Sequence, residues 1–239
     1  MTIAMKLFEL VDGKTRENSF SPMVWRAKFA LNHKNVPYES IALTFTEIPK
    51  KIPEACANVT APTVPTLKLE TGEGLQDSLA IAEYLERTYP DQPSIFGADP
   101  SEKNLQKFFE SYVSSKLHPA FQRLVYIEMY EMQDEENGAY FKSSREKSGG
   151  GKTLQELGGD RAANLKEVKE NLGLIHTALK HSGGYVLGDK PGWADFVLIS
   201  ALIWLNSCAP QTFEEAVLNA IDDQVFADYW AKANRELIH

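Results

Sequence analysis

Only two cysteines, Cys56 and Cys208, occur in 239 residues, and they stand far apart. That excludes a disulfide scaffold or a cysteine-based zinc site and fits a reducing compartment. Positive charge is also scarce: 25 Lys and Arg against 33 Asp and Glu leave a net charge of −8. Such a chain repels a phosphate backbone, so sequence-independent nucleic-acid binding is not expected. Long apolar runs are missing too. Phe196 to Leu205, broken by Ser200, reaches about half of the ~20 residues that span a bilayer, and it reads as a buried helix. The start, Met1 to Lys6, has no basic segment leading into an apolar core, so no secretory signal is expected and the Asn58-Val59-Thr60 sequon is without meaning. The expectation is a cytoplasmic protein with no membrane and no nucleic-acid partner.

Several catalytic patterns are likewise absent. The five histidines, His33, His118, His176, His181 and His239, lack metal-ligand spacing, so no metal is expected, and they read as surface or helix-end residues. There is no Gly-x-Ser-x-Gly elbow for a serine hydrolase. Gly151-Lys152-Thr153 ends like a phosphate loop, but Glu146 stands where its first glycine belongs and no strand precedes it.

What is present begins with a strand, Ala4 to Val11, a polar turn, Asp12 to Asn18, and a helical pattern from Pro22 to about Lys34. Serine is a favoured N-cap and proline loses nothing at the first helical position, so Ser21 reads as N-cap and Pro22 as N1. The Ser21 hydroxyl then lies in the partial positive charge of a helix start, where an anion is stabilised. Capping alone would also explain it. Ser19, before the helix start, is a weaker rival. Asn35-Val36-Pro37 stops the helix, and a strand over Tyr38 to Leu43 completes a crossover whose two strands should be parallel. The stretch 44–59, with Pro49 and Pro53, holds only a short or broken helix. Pro65 enters the next strand, where a cis X–Pro bond is one way to turn the chain. Thr71 to Gly74 turns a hairpin of strands at 66–70 and 74–76. Asp77 and Ser78 open a helix from Leu79 to about Thr88.

Tyr89 to Pro100, with three prolines and Gly97, reads as a linker, and no later strand is convincing. Residues 101–132 are helical with an aromatic interior (Phe108, Phe109, Tyr112, Phe121, Tyr126, Tyr130), and Pro119 should kink or split them. The polar stretch Asp134 to Thr153 reads as a mobile loop. Leu165, Val168, Leu172, Ile175 and Leu179 mark one buried helix face, ended by Gly183-Gly184. A buried helix over Gly192 to Cys208 and a last helical stretch with Phe226, Tyr229 and Trp230 follow. The fold class is an α/β, thioredoxin-like N-terminal domain (1–89), a linker (90–100) and an all-α domain (101–239).

In such a sheet the helix starts at Ser21 and Ser78 lie near one edge. Val64 offers its backbone to an extended peptide, Asp77 an ammonium site, and Ser78 a carboxylate site. Val64-Pro65 with Asp77-Ser78 resembles the glutathione-binding signature of cytosolic glutathione transferases, and the helical second half is similar to theirs. Ser21-Pro22-Met23-Val24-Trp25-Arg26, on to Lys34, resembles more narrowly the etherase-related transferases, which include bacterial lignin β-aryl-ether cleaving enzymes and the fungal FuA class. Gly188 to Phe196 looks like the family's capping box, with Gly192 where Ser or Thr is usual.

The resemblance implies glutathione as cosubstrate, with Ser21 as the activating serine and Val64 and Pro65 at the cysteinyl unit. Asp77 and Ser78 would hold the γ-glutamyl end, and Lys50 or Lys51, with Lys51 preferred, the glycyl carboxylate. Met23, Phe121 and Tyr126 would line a pocket for an aromatic electrophile such as an aryl ether or halide, and the assembly would be a homodimer. Three other readings are a glutathione-dependent carrier of aromatic compounds, a thiol-disulfide oxidoreductase, and a scaffold without chemistry. The oxidoreductase needs a cysteine where Ser21 stands.

Overall fold

The computed structural model describes residues 5–238, so Ala4, the expected first residue of the opening strand, and His239 lie outside the described residues. The chain divides into two compact units: Met1–Ile95 with Tyr130–Ser148, and Phe96–Met129 with Gly149–His239. The division after Ile95 falls inside the expected linker (90–100), whereas the segment 130–148, expected in the second domain, groups with the first unit.

The first unit holds a four-stranded sheet in the order β2-β1-β3-β4. Strand β1 (Met5–Leu10) runs parallel to β2 (Tyr38–Leu43), Leu7 facing Ser40, and antiparallel to β3 (Thr66–Lys68), Leu7 also facing Leu67. Strand β4 (Gly74–Gln76) closes the hairpin, with Thr66 opposite Gln76. Asn58, the sequon residue, pairs its side-chain amide with the N–H and C=O of Gly74 at 2.8 and 2.9 Å. Helix α1 (Pro22–His33) packs with α3 (Ser78–Thr88), while α2 (Ile48–Ala55) is short, with Pro53 inside it. The fully buried Lys34 joins the far ends of α1 and α3: its ammonium lies 2.6 Å from Glu86 and donates to the Tyr89 carbonyl at 3.2 Å. A buried charge is tolerable only with such partners.

The expected mobile loop after residue 134 is instead helix α6 (Glu135–Ser148). Its sequence misleads because few of its residues are apolar; Asn137, Gly138 and Phe141 alone are buried. Tertiary contacts hold it. Asn137 Oδ1 accepts from the Thr46 N–H at 3.0 Å, and Gln133 Oε1 accepts from the Gly13 N–H at 3.0 Å. A Cβ on Gly13 would lie 2.8 Å from the Asp134 nitrogen, so this approach requires glycine.

In the second unit, α4 (Pro100–Tyr112) passes through one π-helical turn, Val113–Leu117, into α5 (His118–Glu131), whose last two residues belong to the first unit. Pro119 does not split the helix; one π-helical turn just before it, where the His118 N–H reaches the Val113 carbonyl, carries α4 into α5. Helices α7 (Leu154–Gly158), α8 (Arg161–Ser182), α9 (Trp193–Cys208), α10 (Pro210–Phe213), a π-helical turn at Glu214–Leu218 and α11 (Val225–Glu236) follow. Helix α8 buries Val168, Leu172, Ile175 and Leu179 and ends at Gly183 in the left-handed region (φ 69°). Two residues expected inside are outside: Phe108 is 69% exposed and Tyr130 40%. Among the described residues no helix is long and apolar enough to cross a membrane.

Helix α9 is buried along most of its length, so its first turn cannot lean on water. Asp195 Oδ2 accepts from the Gly192 N–H at 3.1 Å, and Oδ1 from Val186 N–H at 2.8 Å and the Tyr229 hydroxyl at 2.9 Å. Burial pushes its carboxyl up to about 6 against the pull of those bonds. The glycine at the N-cap has a physical reason. Gln106 of α4 places Oε1 2.9 Å from the Ala194 N–H, the second helical donor. A Cβ on Gly192 would lie 2.7 Å from the same oxygen. Gln106 thus supplies from a neighbouring helix the acceptor that an N-cap serine carries itself. Gln106→Ala is expected to cost about 1 kcal/mol in urea unfolding, and Gly192→Ser, harmful alone, to recover much of it in that background. Failure of the double variant to recover would refute the exchange.

Candidate active site

Three segments of the first unit converge on a cleft of about 180 Å³, lined by Met23, Thr63, Val64, Pro65, Gln76, Asp77 and Ser78. The first turn of α1 supplies Met23, the loop into β3 supplies Thr63 to Pro65, and the start of α3 supplies Asp77 and Ser78. Loop 61–65 is fixed from both sides. Gln76 Nε2 donates to Thr63 Oγ1 at 2.8 Å and to the Ala61 carbonyl at 3.2 Å, and Thr66 Oγ1 donates to the Thr63 carbonyl at 2.6 Å. The Val64–Pro65 bond is cis. Among the described residues the Val64 N–H and C=O form no hydrogen bond, which suits an added strand.

Asp77 caps α3: Oδ1 accepts from Leu79 and Ala80 N–H at 3.0 and 2.9 Å. Its Oδ2, the Ser78 N–H and the Ser78 hydroxyl have no partner among the described residues. Asp77 also has φ +75°, a region that side chains with a Cβ rarely enter. Such strain persists where the surroundings impose it and concentrates at functional sites.

Ser21 caps α1 as expected, its Oγ accepting from the Val24 N–H at a long 3.5 Å. It is 7% exposed, and its own proton has no acceptor among the described residues. Ser19 is committed elsewhere. Its hydroxyl donates to the buried Glu9 carboxylate at 2.5 Å, which Lys28 also holds, and its carbonyl accepts from the Trp25 indole at 2.7 Å. The rival serine is thus an anchor for the approach to Ser21.

Of the expected positions, Met23, Val64, Pro65, Asp77 and Ser78 line the cleft, while Ser21, Lys51, Phe121 and Tyr126 are not in its lining. Lys51 and Lys50 are exposed on α2, and Lys51 lies 3.4 Å from Glu54. Phe121 has no exposed surface and therefore none to offer a ligand. Tyr126 borders a different cavity of about 290 Å³ in the second unit, with Arg123, Arg161 and Asn164. Sequence reasoning missed Thr63 and Gln76, although their positions, before the proline and before Asp77, were visible signals. Both thiols are poor nucleophiles: burial pushes Cys56 and Cys208 up. Among the described residues no cluster of His, Cys, Asp or Glu is placed to hold a metal.

A small mixed sheet presenting two helix starts and a proline-bound strand edge, joined to a helical second unit, defines the thioredoxin-like transferase class. The family models for the glutathione S-transferase N-terminal and C-terminal domains match residues 17–93 and 104–235, and the chain belongs to this family. Among its relatives, the glutathione S-transferase-like protein ustS of Aspergillus flavus is 25% identical, covering 83% of this chain and 78% of that protein. A glutathione S-transferase of Ceriporiopsis subvermispora, solved in complex with glutathione, superposes with TM-score 0.80 at 25% identity over 97% of both chains. GSTFuA2 of Phanerochaete chrysosporium shares the fold, with TM-score 0.82 at 21% identity over 98% of both chains.

Replacing Asp77 by glycine removes backbone strain of about 1–3 kcal/mol, while glycine in place of an aspartate cap costs a few tenths. Asp77→Gly is therefore expected to hold or raise stability by about 1 kcal/mol in urea unfolding. A loss of stability would show that the cap outweighs the strain.

Proposed function

We propose that this transferase activates the glutathione thiol with Ser21 and directs the thiolate at hydrophobic aromatic electrophiles, aryl ethers or halides among them. The observation that carries the reading is the uncommitted proton of a buried N-cap hydroxyl at the start of α1, a helix whose first turn also supplies Met23 to a cleft with open donors and acceptors that match a γ-glutamyl tripeptide. In this reading Asp77 Oδ2 receives the ammonium, and the Ser78 N–H and hydroxyl receive the γ-glutamyl carboxylate. Val64 pairs with the backbone of the cysteinyl unit, with Pro65 fixing its edge. Lys51, exposed on α2, is the proposed partner of the glycyl carboxylate. Met23 borders the acceptor side.

A free thiol, with pKa about 8.5, is mostly protonated at neutral pH. A hydroxyl donor and a helix start both favour the thiolate. A drop of about two units corresponds to roughly 2.7 kcal/mol. Ser21 donates to the sulfur and does not itself attack. The thiolate forms a C–S bond at the electrophilic carbon, the C–O or C–halogen bond breaks, and its electron pair leaves with the alkoxide, phenoxide or halide. The thiol proton passes to solvent. Ser21→Ala is expected to lower kcat/KM by about 10–100-fold and move its pH profile upward by one to two units, with glutathione affinity within about threefold. Wild-type protein that binds glutathione but turns over no aryl electrophile would instead leave the carrier reading.

A homodimer is part of this proposal. Tyr112 donates to the Asn171 carbonyl at 2.7 Å and sets α4 beside α8. On these neighbouring helices Phe108 and Leu105, and Leu174, are 69%, 50% and 67% exposed. Apolar side chains grouped this way mark an interaction face. Phe108→Glu is expected to shift the protein toward the monomer in analytical ultracentrifugation at micromolar concentration, and an unchanged dimer would place the interface elsewhere.

A further inference from the structure

We propose that the buried Glu9–Lys28 ion pair positions the Ser21 hydroxyl, acting through Ser19 and Trp25, a role that rests on the transferase reading above. Neither residue lines the cleft, and the thiol chemistry uses neither. Both are positioning residues: they affect the sulfur only by holding the backbone from which Ser21 projects.

Glu9 stands on β1 with its side chain 7% exposed, and Lys28 stands on α1 with its side chain 14% exposed. The Lys28 ammonium sits on Glu9 Oε2, and the same oxygen accepts from the Ser19 hydroxyl at 2.5 Å. Lys28 also lies over the Trp25 ring, 4.9 Å from its centre, and the Trp25 indole N–H donates to the Ser19 carbonyl at 2.7 Å. Ser19 is thus gripped at its hydroxyl from β1 and at its carbonyl from α1. A backbone bridge between Val11 and Ser19 adds a third tie.

The polar turn ahead of Ser19 is closed on itself. The Asp12 carboxylate accepts from the Thr15 and Asn18 N–H groups at 2.6 and 3.0 Å, and the Asp12 N–H donates to the Asn18 carbonyl at 3.1 Å. Ser21 follows Ser19 by two residues, so their Cα atoms lie within about 7 Å of each other. The cap bond that Ser21 makes with the Val24 N–H is long, 3.5 Å, and a bond of that length holds an oxygen weakly. The direction of the Ser21 hydroxyl is therefore set by the backbone that leads to it, and that backbone is fixed at residue 19.

A buried ion pair is a poor source of stability, because desolvation offsets its attraction, and apolar side chains of like volume often serve the fold as well or better. Such a pair suits a task in which direction counts, since a working donor must stay within about 0.5 Å and 10–20° of its productive geometry. Tyr38 on β2 also feels the Glu9 charge. Burial first, and then that charge, push its hydroxyl up to about 12, so it stays protonated where a thiol titrates.

The test follows the thiolate absorbance of bound glutathione against pH in the full-length protein, in Ser19→Ala and in the double variant Glu9→Leu/Lys28→Met. Calorimetry with S-methylglutathione, which has no thiol proton, reports the cleft separately. In both variants the thiol midpoint is expected to rise by about one unit, a tenfold loss of thiolate at fixed pH, with S-methylglutathione affinity within about twofold of wild type. The double variant is expected to unfold at an equal or higher urea concentration, since it exchanges the pair for apolar side chains. Ser19→Ala leaves the ion pair in place, so it decides the matter if the double variant does not fold. A wild-type midpoint in Ser19→Ala and in the folded double variant overturns the proposal. A loss of S-methylglutathione affinity as large as the loss of thiolate would show general damage to the cleft and overturn it too. An unshifted midpoint in the wild type would overturn the transferase reading itself, whereas a shifted wild-type midpoint shared by the variants sinks only the role of the ion pair.

Discussion

The structure turns on a hydrogen that has nowhere to go within the protein. Ser21 spends its oxygen on the first turn of α1 and leaves its proton without an acceptor among the described residues. The start of α3 does the same with the Ser78 donors. Buried or half-buried polar groups are normally satisfied, so two helix starts with open donors are the feature on which the proposed anion site rests. The rest of the first unit keeps that arrangement rigid. Glu9 and Trp25 hold Ser19, the Lys34–Glu86 pair joins the other ends of α1 and α3, and Gln76 and Thr66 fix the loop that presents Val64.

The same helix starts show why serines close in sequence have different fates. Ser19 lies two residues before Ser21, outside the helix, and its hydroxyl is absorbed by a buried carboxylate that also needs Lys28. Ser21 lies where the chain turns helical, so its neighbours are backbone N–H groups and no carboxylate competes for its proton. The second unit offers a parallel case. There Gly192 gives up the N-cap oxygen, and Gln106 restores it from another helix. Capping is a requirement of the helix, and the residue that meets it need not be local.

Much of this was legible before any coordinates, because local rules set it. Proline at N1, serine before it, and the Asn35-Val36-Pro37 stop fix α1, and β2 spans Tyr38–Leu43 as expected. The Asp77 cap follows from residue chemistry at a single position, and Pro65 allowed the cis bond that the structure has. What was illegible depends on contacts distant in sequence. Helix α6 has a polar pattern that no periodicity argument reads as folded, and it is held by Thr46, Gly13 and Phe45, roughly ninety to one hundred and twenty residues away. Phe108 and Phe121 differ by little in composition around them, yet one is exposed and the other sealed, since helix rotation is set by packing partners. Lys51 was placed by resemblance alone, and the structure leaves it exposed on α2.

The central claim is that the α1 start and the Ser21 hydroxyl make an anion of a borrowed sulfur. A pH titration of the thiolate ultraviolet absorbance of glutathione bound to the wild-type protein tests it most directly. The account predicts a midpoint about two units below the ~8.5 of a free thiol. A midpoint at the free value would contradict it.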